Sequence, residues 1–297
     1  MFIRRHHLLT VLVLLVGGCA ANTATKISEG PALWSFSDED TTVYLFGTVH
    51  LLKPDTTWRM PHITAAWEAA DTVYFEADTE SPEIQAQLGE LIQRTGLYTD
   101  GRTLLSVLSE QQQQTLQLAA EKLGLPLQAV LPLKPWMAGL QLSVMQMVQA
   151  GYDPQSGVEM VLGKDPSAAG KQRRYLETAQ EQVLLLGGLP EADQIEMLEA
   201  GARAIVEDPG VLDRLVTAWT TGDVDEIAAQ LGSVEAFGTK VVYDILLTRR
   251  NRRWLAPIEA LLEEPGIKFV AVGAGHLAGE DSVISLLEQA GHEVLRR

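Results

Sequence analysis

The stretch Val43-Tyr44-Leu45-Phe46-Gly47-Thr48-Val49-His50-Leu51 has a late counterpart, Lys268-Phe269-Val270-Ala271-Val272-Gly273-Ala274-Gly275-His276-Leu277. In each, a strand-length apolar run ends in Gly-x-x-His-Leu. Short apolar runs bounded by turn residues fit strands buried on both faces, as in parallel sheets. Glycine lets the chain leave a strand through a tight turn, after which a side chain points along the sheet edge. If both strands end on one edge, two imidazoles face one crevice, where open α/β sheets hold their ligands. With 25 glycines and 6 histidines in 297 residues, chance supplies about half a bare Gly-x-x-His. The repeated strand context therefore carries the reading. The plain alternative is a pair of satisfied histidines at unrelated strand ends.

Outward from these runs, Ala32 to Phe36 and Thr42 to Phe46 form a hairpin across Ser37-Asp38-Glu39-Asp40. Pro61 opens a helix to Ala70, with Ile63, Ala66 and Trp67 at helical spacing, and Thr72 to Ala77 returns to strand. A helical insertion is expected over about 81–170, including a segment with Met137, Leu140, Val144, Met147 and Val148 that serves as core filler or groove wall. One helix in it spans Ser156 to Leu162, and Gln172 to Thr178 is strand-like. Residues from about 180 to 264 read as helical, broken at Gly187-Gly188-Leu189-Pro190, Asp208-Pro209-Gly210 and Thr221-Gly222-Asp223. After the second histidine come a helix from Asp281 to Gln289 and a last strand from Glu293. The expected fold is one α/β domain over 31–297, with a mixed, mostly parallel sheet and a large helical insertion.

The first 18 residues read as an address. Arg4 and Arg5 precede the apolar run Leu8 to Val16, too short to cross a bilayer core but suited to a cleaved signal. Val16-Gly17-Gly18-Cys19 resembles a bacterial lipobox, which makes Cys19, the only cysteine, the expected lipidation site and residues 19–30 a tether. The expected location is the cell envelope, lipid-anchored and facing the periplasm, on the outer membrane. Removing the leader takes the formal charge from −16 to −18. Such an acidic body argues against nucleic acid as a partner.

Four strand-like segments end in ionisable side chains: His50, Glu76, Glu177 and His276. Two histidines and a carboxylate make a ligand set for a divalent ion, manganese, cobalt or zinc, with a position left for water. His50, Glu76 and His276 are the candidate ligands. A metal brings bound water toward a pKa of about 7, and a second carboxylate handles the proton. Alternatively Glu76 caps a turn and Glu177 is a first-turn acid of the next helix. On the helix near residue 250, Leu247, Trp254, Ile258 and Leu261 share the apolar face. Arg249, Arg252 and Arg253 project to solvent, while Arg250 and Asn251 flank the apolar stripe, toward the acidic site, a substrate oxyanion or a structural Arg–Glu pair. His62 and His292 read as surface residues.

Gly47-Thr48-Val49-His50, Val73-Tyr74-Phe75-Glu76, Ser156-Gly157-Val158-Glu159, Tyr175-Leu176-Glu177-Thr178 with Gln182, Arg250-Asn251 and Val272 to Leu277 together resemble the TraB/GumN family, which is similar to the Tiki metalloproteases. The resemblance implies an extracytoplasmic fold of the erythromycin-esterase and ChaN-like group and a divalent metal at the paired histidines. It implies metal and catalytic duties for His50, Glu76 and His276, and carbonyl polarisation by Arg250 or Asn251. Glu159 stands where the family pattern leads us to expect aspartate, and is left outside the expected site. The expectation is a metal-dependent hydrolase, a peptidase acting on peptides or amino-terminal protein segments. The rival is a non-catalytic lipoprotein that sequesters a peptide or a haem-like ligand in the same crevice.

Overall fold

The computed structural model describes residues 30–231 and 234–297. Leader, Cys19 and nearly all of the tether lie outside them. The chain opens with strands β1 (Leu33–Ser37) and β2 (Thr41–Thr48), helix α1 (Pro61–Ala69) and strand β3 (Thr72–Phe75). Helices α2 (Pro82–Gly96), α3 (Glu110–Lys122), α4 (Pro135–Gln149) and α5 (Val158–Lys164) precede strand β4 (Gln172–Tyr175). Next come α6 (Ala179–Gly187), α7 (Glu191–Glu207), α8 (Val211–Thr221), α9 (Val224–Leu231), α10 (Val234–Phe237), α11 (Lys240–Tyr243) and α12 (Arg249–Glu259). Strand β5 (Gly266–Gly273), helix α13 (Val283–Gln289) and strand β6 (Leu295–Arg296) complete it. Among the described residues no helix is long and apolar enough to cross a membrane.

The sheet runs β4-β3-β5-β2-β1-β6. β4, β3, β5 and β2 are mutually parallel, and β1 pairs antiparallel with β2 and β6. The carboxyl ends of the four parallel strands therefore lie on one edge. Period-two alternation splits their side chains between two cores. Phe46, Val73, Phe75, Phe269 and Ala271 face one cluster with Ile63 and Trp67 of α1. Val43, Leu45, Tyr74, Val270 and Val272 face the other, with Trp254 and Ile258 of α12 and Val283 and Leu287 of α13. Complete burial of Phe269, Val270 and Val272 stabilises the central strand by roughly 1.5–3 kcal/mol per side chain. At the β4 edge, Gln172, Arg173, Arg174 and Tyr175 are all exposed, and the charges discourage pairing with another chain.

The helical insertion shares a separate core with the helices after β4, in which Leu116 of α3, Leu142 of α4 and Leu198 of α7 pack together. Several expected boundaries shift, two of them beside the strand ends. α5 begins at Val158 because Asp153 accepts from the Gln155 N–H at 2.8 Å and makes Pro154–Ser156 a separate turn. β4 stops at Tyr175, and the Thr178 side chain caps α6 through the Glu181 N–H. His62 and His292 are half-buried rather than on the surface. His292 lies 3.0 Å from Glu259 and beside the Phe36 ring, and burial pushes the His62 imidazole below its ordinary pKa.

Candidate active site

β2 and β5 are neighbours in register, Gly47 opposite Val272 and Thr48 opposite Gly273, so the two Gly-x-x-His turns leave the sheet side by side. A side chain at Gly47 would meet the Ala274 Cα at 3.0 Å, so glycine is what lets the turns approach. From outside the sheet, the Trp219 indole N–H of α8 donates to the Gly47 carbonyl at 2.8 Å.

His50 stands at the rim with 66% of its side chain open to the crevice. Its Nδ1 lies 2.9 Å from Glu159 Oε1, which also accepts from the Thr48 hydroxyl at 2.5 Å. The Glu159 carboxylate beside it raises the imidazole to about 9, and the imidazole in turn helps hold the Glu159 carboxyl below its usual range against the opposing effect of burial. Gly157 makes this pairing possible: a Cβ there would sit 2.0 Å from the His50 carbonyl oxygen, and the Val158 N–H donates to the Val49 carbonyl at 3.0 Å. The start of α5 is thus clamped to the His50 turn, and Glu159 belongs to the site from which the sequence pattern had omitted it.

His276 is buried, 4% exposed. Its Nδ1 lies 2.6 Å from Asn251 Oδ1, and the Asn251 amide donates to the Asp281 carbonyl at 2.8 Å. A guanidinium only donates, so Arg250 Nη1, 2.9 Å from His276 Nε2, fixes the ring as the neutral Nδ1–H tautomer. Burial presses this imidazole down to about 3. The Trp254 ring packs against it at 4.5 Å and lies under the Arg250 guanidinium at 4.7 Å.

Arg250 is the hub. It donates to Glu177 through Nε at 3.0 Å and Nη2 at 2.5 Å, to Glu76 through Nη2 at 2.5 Å, and to the Leu246 carbonyl at 3.1 Å. Leu246 lies in the π-helical turn Asp244–Thr248 that leads into α12, an irregularity that re-aims the helix beside the site. The Glu177 side chain, 0% exposed, also accepts from Gln182 at 3.0 Å and from Arg253, which was expected in solvent but turns inward. Glu76 accepts from the Gly273 N–H at 2.7 Å and Gln182 at 2.9 Å. Burial alone would raise the Glu76 carboxyl, but Arg250, the protonated His50 and the Gly273 N–H outweigh it and hold it well below the usual carboxylate range.

All four strand-end side chains thus reach one place. The Arg–Glu pair read as one alternative for Arg250 is the arrangement found. With its N–H groups spent on Glu76, Glu177, Leu246 and His276, Arg250 offers a substrate carbonyl no donor, and Asn251, 1% exposed, is committed to His276 and Asp281. Both are positioning residues. Sequence reasoning puts Arg253 in solvent, and it sets aside Glu159, which stands in the Ser156-Gly157-Val158-Glu159 motif, for departing from the expected aspartate.

A model of the TraB/PrgY/gumN family matches residues 32–296. The chain belongs to that family. It is similar to Metalloprotease TIKI1 of Danio rerio, 25% identical over 93% of this chain and 65% of that protein. It is also similar to an uncharacterized protein of Treponema pallidum (strain Nichols), 21% identical over 86% of this chain and 80% of that one. The chain spans less than two thirds of the metalloprotease's length. No solved structure matches significantly.

In this TraB/PrgY/gumN chain the donor types suit a divalent ion, but their placement does not. Arg250 takes both the Nε2 lone pair of His276 and an oxygen of Glu76. A cation bound to those atoms would stand against the guanidinium, a like charge in a buried setting. Glu76 Oε1 and His276 Nε2 are 3.7 Å apart, yet among the described residues no three His, Cys, Asp or Glu side chains form a cation-holding group. The expected set His50, Glu76 and His276 therefore does not fit a resident metal as arranged, and no step below passes through one.

Proposed function

We propose that this protein is an amide hydrolase, a peptidase working outside the cytoplasm and held to the envelope membrane through a lipid on Cys19. The observation that carries the reading is the His50–Glu159 pair, His50 open to the crevice beyond the carboxyl end of β2 and Glu159 backing it from α5. Glu159 accepts the Nδ1 proton of His50 and leaves Nε2 to the crevice. Neutral Nε2 removes a proton from water as the water oxygen adds to a substrate carbonyl carbon. The imidazolium then returns that proton to the departing amine nitrogen as the carbon–nitrogen bond breaks. Arg250, Glu76, Glu177 and Gln182 hold the floor of the site rigid, and His276 remains neutral beneath it.

The similarity to a metalloprotease supports a hydrolytic reading and favours one rival route, a metal-activated water. Peptide-library digestion read by mass spectrometry tests the proposal, with wild type and His50→Ala compared, each with and without chelator, after thermal melts show both folded. Cleavage lost in His50→Ala and kept in chelator is expected. Cleavage indifferent to His50 would overturn the proposal. Cleavage abolished by chelator would move the chemistry to the metal route, and peptide binding without turnover would favour the sequestering lipoprotein.

A further inference from the structure

Two hollows meet at His50, Leu51 and Glu76. One is a trough of about 410 Å³ whose walls mix Asp78, Glu80, Arg173 and Gln182 with apolar Phe75 and Met160. The other, about 290 Å³, is lined by Met147 of α4, Leu215, Val216 and Trp219 of α8, Leu231 of α9 and Leu247. Thr48, Arg250 and His276 complete its floor. The second hollow has fewer charged groups in its walls, and His50 lines both.

We infer that the inner chamber is a specificity pocket for a neutral, apolar side chain or acyl chain next to the bond that is cut, with the polar remainder of the substrate in the trough. This rests on the hydrolase reading for the site and adds the substrate class. Three features support it. The chamber walls are aliphatic and aromatic, and Leu215, Val216 and Leu231 are only partly buried, so their apolar faces are open to an occupant. Arg250 in its lining is already saturated by Glu76, Glu177, Leu246 and His276, so its guanidinium has no N–H left for an anionic chain end. At ~30 Å³ per water-sized group, the volume holds roughly eight to ten such groups, the size of a leucine, methionine or phenylalanine side chain with room to spare. Burial of apolar surface then favours a longer chain by about fourfold per methylene.

Binding and cleavage test this separately, with the soluble protein from residue 20 onward. Straight-chain carboxamides of about two to eight carbons, titrated by ligand-observed NMR, should tighten by about fourfold per methylene until the chamber fills. Val216→Trp, which occupies the chamber, should abolish that dependence, and Leu215→Phe should shorten the chain length at which it levels off. Wild-type affinity that does not change with chain length overturns the inference without any variant. So does an unchanged slope in a Val216→Trp protein that melts like wild type. In the cleavage arm, peptides varied at the residue flanking the cut from glycine through alanine to leucine should show rising kcat/KM, and a flat series overturns the inference. A chain-length slope in binding with no peptide cut sustains the chamber assignment while removing the hydrolase reading.

Discussion

Replacing Arg250 by methionine removes the hub of the site while keeping most of the side-chain volume. Glu177, with no exposed side-chain surface, loses the Nε and Nη2 hydrogen bonds of Arg250 and keeps only Arg253 and Gln182. Glu76 keeps Gln182 and the Gly273 N–H. Breaking one partner out of a buried ion pair costs roughly 3–5 kcal/mol, and the remaining partners put the expectation at about 3 kcal/mol. A chain of this size loses roughly 2–4 °C of Tm per kcal/mol, so the transition should fall by roughly 6–12 °C. Scanning calorimetry of the soluble protein reads this directly. Arg250→Lys should rescue little, since an ammonium cannot reproduce the planar fork that spans both carboxylates. Adding Glu177→Leu to Arg250→Met should recover part of the loss, because the uncompensated buried charge goes with it. An Arg250→Met transition within ~2 °C of wild type would refute the claim that this guanidinium neutralises buried acids.

Gly157→Ala should displace the His50 turn, since the new Cβ meets a carbonyl oxygen at 2.0 Å; peptide cleavage should fall at least ~10-fold while the melt shifts by only a few degrees, and normal turnover would show that the clamp between α5 and the turn is idle. Because attack requires neutral Nε2, kcat/KM should climb with pH and level near the His50 value of about 9, and in Glu159→Gln the levelling should move down toward the ordinary 6.5. The same pairing contributes stability fully below the unfolded value of 6.5 and loses it as pH rises through about 9, so the wild-type advantage over Glu159→Gln in Tm should shrink across that window. Purified protein should carry less than one divalent ion per chain by elemental analysis, and Arg250→Met, which frees His276 and Glu76, should take up more; a full complement in wild type would show that Arg250 yields to metal.

Local pattern is enough to place both histidine turns at the ends of buried strands, because an apolar run closed by glycine is a statement about one short segment. The apolar spacing of Leu247, Trp254, Ile258 and Leu261 likewise brings Arg250 and Asn251 to the inner side of α12, and all four apolar positions are buried. Partner choice is a different kind of fact. Arg250 meets Glu76 across 174 residues and Thr48 meets Glu159 across 111. Such pairings depend on strand order and on the approach of α5 to the His50 turn, and nothing in either segment states them. Arg253 shows the difference most plainly: by helix geometry it belongs in solvent, yet its long side chain reaches back to Glu177 because a buried carboxylate needs a second cation. Pattern along the chain brings His50, Glu76, Glu177 and His276 to the sheet edge. The tertiary structure decided which of them neutralise one another and which, His50 with Glu159 behind it, is left facing the crevice, because charges in a low-dielectric site settle by distance in space rather than along the chain.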